Sequence, residues 1–72
     1  MDLEAWLEMN AQALVDQTAG KVRASGSISI PDDATFTKQE AFFALGQELE
    51  RLCPGSGLRL EVSAHKRLNF KK

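Results

Sequence analysis

The stretch LRLEVSAHKRLNF, residues 58–70, decides the fold. Leu58, Leu60, Val62, Ala64, Leu68 and Phe70 all occupy even positions, and only Lys66 breaks the pattern. The odd positions are polar or charged throughout. A period of two is the mark of a half-buried β-strand, because successive side chains point to opposite faces. As one straight strand these thirteen residues would reach about 43 Å. A 72-residue globule has a radius of gyration near ~11 Å and spans only about 29 Å. The strand therefore either folds back on itself or projects and pairs with another subunit. The hairpin is the preferred reading. A three-residue loop, Ala64-His65-Lys66, keeps the facing parity and sets Val62 opposite Leu68 and Leu60 opposite Phe70. The loop lacks the Gly or Asn that such turns favour.

Upstream, Pro54 and Gly55 terminate a helix that runs back from about Cys53. Its stripe is Phe42, Leu45, Leu49 and Leu52, with Phe43 and Cys53 on the flanks. Thr37 and Glu40 fit the Thr-x-x-Glu capping box, with Phe36 just before it and Thr35 as a competing cap. Gly46 sits inside this helix at a cost of about 1 kcal/mol against Ala, which suggests close packing against a strand or a neighbouring helix. Further upstream, KVRASGSISI (21–30) alternates again: Val22, Ala24, Ile28 and Ile30 inward, Lys21, Arg23 and the serines outward. Gly26 falls on the inward face and suggests a bulge or a close contact. Residues 2–19 read as a first helix, capped by Asp2 and stopped at Gly20, with Leu3, Trp6, Leu7, Asn10, Ala13, Leu14 and Gln17 at helical spacing.

The expected fold is a single α+β domain over residues 1–72, in the order α-β-α-β-β, with residues 71–72 as a disordered tail. Both helices pack on one face of a small sheet. The other face would show Lys21, Arg23, Ser25, Ser27, Ser29, Arg59, Glu61, Arg67, Asn69 and Lys71.

Composition agrees with one small core. Forty-three per cent of residues are hydrophobic, and a chain this short buries roughly 60% of its unfolded surface. A lone Cys53 excludes an internal disulfide and points to a reducing compartment. No apolar run approaches the roughly 20 residues of a membrane helix, and the acidic start MDLEAWLEM is wrong for a signal peptide. A cytoplasmic protein with no membrane partner is expected. The net charge is −1 but uneven. Residues 1–20 carry Asp2, Glu4, Glu8 and Asp16 without a Lys or Arg, whereas residues 63–72 carry Lys66, Arg67, Lys71 and Lys72 without an acid. This marks either two charged faces or two chain ends that neutralise each other.

Catalysis finds little support. One His and one Cys cannot by themselves make a metal cluster. Cys53 lies at a helix C-terminus, where the dipole disfavours a thiolate. The Gly55-Ser56-Gly57 run follows a helix and precedes a strand, the reverse of a phosphate cradle. Asp32 and Asp33 sit in a turn and read as cap and turn residues. No enzyme activity, cofactor, metal or small-molecule substrate is expected.

A non-enzymatic interaction module remains, one that binds a protein partner or forms a homodimer, and that serves as a regulator or inhibitor. Its candidate contacts are Trp6 and Met9 on the first helix and Ile28 and Ile30 on the first strand, although Trp6 also suits the core. The alternative is nucleic-acid binding through Lys21, Arg23, Arg59, Lys66, Arg67, Lys71 and Lys72. Against that alternative stand a pI near 5.7, Glu61 in the middle of the face, and the absence of any aromatic there for base stacking. The glycine loop of KH modules and the aromatic sheet motif of RRM modules are both missing.

Overall fold

The computed structural model describes residues 1–72 and resolves the C-terminal stretch as a hairpin. Strand β2 spans Arg59–Val62 and β3 spans Arg67–Lys71, antiparallel, with Leu60 opposite Phe70 and Val62 opposite Leu68. In place of a glycine, His65 takes the left-handed conformation at φ 63°. Histidine is among the few side chains enriched there. Lys38 secures the turn from outside, its Nζ donating to the Ser63 carbonyl at 3.1 Å.

Three further elements precede the hairpin: α1 (Leu3–Thr18), β1 (Ser25–Ser29) and α2 (Lys38–Leu52). The sheet order is β1-β3-β2. β3 lies in the centre and runs antiparallel to both neighbours, so β1 and β2 point the same way with a strand between them. This order gives the deepest place to the strand with the bulkiest inward pair, Leu68 and Phe70. Leu68 and Phe70 of β3 are buried, whereas every residue of the two edge strands is exposed or half-buried.

Helix α2 packs on β2 and β3, and α1 packs on α2. The core joins Trp6, Leu14, Ala41, Leu45, Leu49, Leu68 and Phe70, with Phe36 against the Trp6 ring at a centroid separation of 5.6 Å. Local signals set the helix ends. Asp2 accepts from the Ala5 amide at 2.8 Å, and Thr37 and Glu40 complete the capping box. Gly55 and Gly57 take positive φ values of 73° and 79° in the turn before β2, so that turn needs residues without Cβ.

Several expectations change. Residues 21–24 lie outside β1: the ladder ends where the Lys72 amide donates to the Ala24 carbonyl. Val22, with no strand beside it, is 89% exposed. The last two residues are not a disordered tail, since Lys71 belongs to β3 and Lys72 extends the pairing. On α1, Ala11 and Thr18 take the buried places instead of Asn10 and Gln17, and Thr18 satisfies its hydroxyl by donating to the Leu14 carbonyl at 2.8 Å. Gly26 makes no bulge. It sits in regular pairing opposite Phe70, whose ring occupies the space a side chain would need. Gly46 packs against nothing: a Cβ built on it meets no atom within 4 Å.

Candidate interaction surface

The sequence placed candidate contacts on α1 and β1. Trp6 is 1% exposed and belongs to the core, and its indole Nε1 donates to the Ser29 carbonyl at 3.2 Å. Ile30 is buried, and its amide donates to the Lys66 carbonyl. Neither offers surface to a partner. Ile28 is half-buried, and Met9 stands out on α1 at 62% exposure. The four residues do not form one patch.

The backbone gives a sharper picture of the two sheet edges. On β1 the ladder bonds fall on even residues, as the Ile30-to-Lys66 and Lys72-to-Ala24 bonds show. Its odd residues therefore turn their amides and carbonyls outward. Of these, the Ser29 carbonyl is taken by Trp6, so α1 closes one end of that edge. On β2 the parity is reversed. The Ser63 amide donates to the Arg67 carbonyl at 3.1 Å, so the ladder uses odd residues. Leu60 and Val62 turn their amides and carbonyls to the outer edge, where no strand pairs with them.

Beside this open edge lies an apolar groove of about 430 Å³ between α2 and β2. Phe42, Phe43 and Leu49 of α2 face Leu58 and Leu60 across it, with Gly46 in its wall. Phe43 is 68% exposed, and Val62 is also exposed on the inward side of β2. The sequence treated Phe43 as a flank of the core stripe. The signal in the sequence was its place at the margin of the stripe: Phe43 follows Phe42 by about 100° around the helix, away from Leu45, Leu49 and Leu52.

The opposite sheet face is wholly polar. Its three rows run Ser25–Lys71–Arg59, Ser27–Asn69–Glu61 and Ser29–Arg67–Ser63. Arg23 borders a shallow depression with Lys71 and Lys72, while Lys21 stays in the loop after α1. Lys66 pairs instead with Asp32 at 3.0 Å, and the Lys72 ammonium donates to the Thr18 carbonyl. The α1 acids form no ion pair with the basic C-terminal residues. Two charged faces result: an acidic one with Asp2, Glu4, Glu8 and Glu48, and a mostly basic one on the sheet.

The remaining reactive groups are tied down. Asp33 pairs with the N-terminal ammonium of Met1 at 3.3 Å, which separates it in role from Asp32. The Cys53 thiol is half-buried and donates to the Leu49 carbonyl. No three His, Cys, Asp or Glu side chains gather to hold a metal. No helix is long and apolar enough to cross a membrane. No protein family model matches the chain, and no curated protein or solved structure matches it either.

Proposed function

We propose that this chain is a small non-enzymatic interaction module, binding a protein partner or itself through the α2–β2 groove and the free edge of β2. One observation carries this reading: the most exposed aromatic side chain, Phe43, stands next to an unpaired strand edge. An extended segment added to β2 would bond to the outward amides and carbonyls of Leu60 and Val62, and its alternate side chains would enter the groove. Such an edge left bare is an aggregation risk that proteins usually cover or charge. A regulatory or inhibitory role suits a small module that offers a docking edge. The lone cysteine suits a reducing, cytoplasmic setting.

The test is a photo-crosslinking residue placed at Phe43 in host cells, with Asn69 on the open sheet face as control. Adducts to protein from position 43 and none from 69 support the reading. No protein adduct from 43 ends it.

A second reading, nucleic-acid binding, rests on Arg59, Arg67 and Lys71. All three lie on the bare sheet face without an ion-pair partner. Mobility shifts at low salt decide it: binding abolished by replacing Arg67 and Lys71 with Ser supports it, and no binding of DNA or RNA removes it.

A further inference from the structure

The free edge of β2 is self-complementary, and we infer that its occupant is a second copy of this chain. The copies pair antiparallel about a two-fold axis through Leu60 and join two three-stranded sheets into one of six strands. This inference rests on the reading that the α2–β2 surface binds protein.

The register follows from hydrogen-bond parity and from charge. Only even residues of β2 turn their backbone groups outward, so the bonded pairs across the axis must be even. With Leu60 opposite Leu60, the two residues exchange both of their bonds, and each Val62 amide meets the Leu58 carbonyl of the other chain. The Leu58 amide is not needed; it already donates to Ser56 Oγ at 3.2 Å. The intervening pairs are then Arg59 of one copy opposite Glu61 of the other, twice over. These are the closer, non-hydrogen-bonded positions, where opposite charges are favoured.

Within a single chain neither charge has an ion-pair partner. Arg59 stands across from Lys71, a like charge, and Glu61 across from Asn69. The second copy brings Arg59 the carboxylate its own sheet denies it. Shifting the axis by one residue destroys the match. Centring on Glu61 sets Glu61 against Glu61, and centring on Arg59 sets Arg59 against Arg59. Both are penalised. On the inward side, the Leu60 register stacks Leu58 of each copy against Val62 of the other. The two grooves merge into one apolar seam bordered by the exposed Phe43 rings. The interface is isologous, so it closes at two copies and does not propagate.

Sedimentation of the 72-residue chain over a concentration series tests this. The variants Arg59→Glu and Glu61→Arg change only exposed side chains of β2, and circular dichroism checks that each stays folded. The wild type should pass from monomer to dimer with rising concentration. Each variant alone sets like charges opposite at both positions and should dimerise at least about tenfold more weakly. An equimolar mixture of the two variants restores opposite charges and should recover the dimer as a heterodimer, as should the doubly swapped chain by itself. The inference is overturned by a wild type that stays monomeric at about 1 mM, by a tetramer or open polymer, or by charge variants that dimerise as well as the wild type. A monomeric chain whose position 43 still crosslinks to another protein ends this inference and leaves the docking reading standing. A monomeric chain with no crosslink ends both.

Discussion

Replacing Gly26 by Ala is a one-carbon test of how the sheet meets the core. The Cβ would lie 2.8 Å from Phe70 Cζ, closer than real Cβ atoms come, and 3.0 Å from Cε1, a contact tighter than most. Phe70 is buried in the central strand and belongs to the core cluster, so its ring cannot withdraw without moving its neighbours. Overpacking of this kind costs about 1–3 kcal/mol. Against it, Ala lowers the entropy of the unfolded chain and returns about 0.4–1 kcal/mol, since Gly26 has no positive φ to strain an L residue. The net expectation is a loss of about 1–2 kcal/mol. For a domain of this size each kcal/mol moves Tm by about 4–8 °C, so Tm should fall by roughly 5–15 °C. Thermal and urea unfolding read this directly. The same substitution on a Phe70→Leu background, where the clashing ring atoms are gone, should cost little. The double-mutant cycle should therefore show a coupling of about 1 kcal/mol or more. A Gly26→Ala variant that is as stable as the wild type, or that loses equal stability with and without the ring, would refute the contact.

Three other outcomes follow from particular residues. Thr37→Ala removes the acceptor for the Glu40 amide and should lower stability by about 1 kcal/mol, seen as an earlier urea midpoint with unchanged slope. His65→Gly relieves a left-handed residue and should leave stability equal or raise it by up to about 1 kcal/mol, whereas His65→Val should lower it, because a β-branched side chain resists that conformation. Glu48 is hydrogen-bonded to the Arg51 guanidinium, which holds its carboxyl below the usual carboxylate range. The pair therefore adds stability at neutral pH, and that contribution is lost as pH falls through the lowered value. An NMR titration of the Glu48 side chain should show the shift, and Arg51→Gln should return it to the ordinary range.

The hairpin was legible because two independent constraints met on residues 58–70. A period of two demanded a strand, and the size of the globule forbade a straight one. The resulting register, Leu60 on Phe70 and Val62 on Leu68, is the observed one. The capping box at Thr37 was equally plain, being a local hydrogen-bond pattern written in four residues. Strand order was not legible. Parity says which face a side chain takes but not which strand lies beside it, and the edge positions of β1 and β2 depend on long-range packing. The same limit explains residues 21–24: their alternation is a valid strand pattern, but only the Ala24 carbonyl finds a partner across the sheet, at the end of the ladder. Trp6 shows a different difficulty. An aromatic on an amphipathic helix serves a core or an interface equally well by sequence; its burial, its contact with Phe36 and the bond from its indole to Ser29 show the inward choice. The docking groove was hidden for a related reason. Leu58, Leu60 and Phe42 read as core residues, and they do line the inner layer. Their partial exposure arises because β2 is an edge and nothing lies beyond it.

Amide hydrogen exchange at β2, followed as a function of protein concentration, tests the central claim most directly. In dilute solution the Glu61 amide, which faces β3, should be protected, while those of Leu60 and Val62 exchange rapidly at the open edge. As concentration rises into the range where the dimer forms, Leu60 and Val62 should become protected together, with Asn69 on β3 unchanged. Leu60 and Val62 amides that exchange equally fast at every concentration would contradict occupation of the edge by a second copy, and amides already protected in the dilute monomer would contradict the open edge itself.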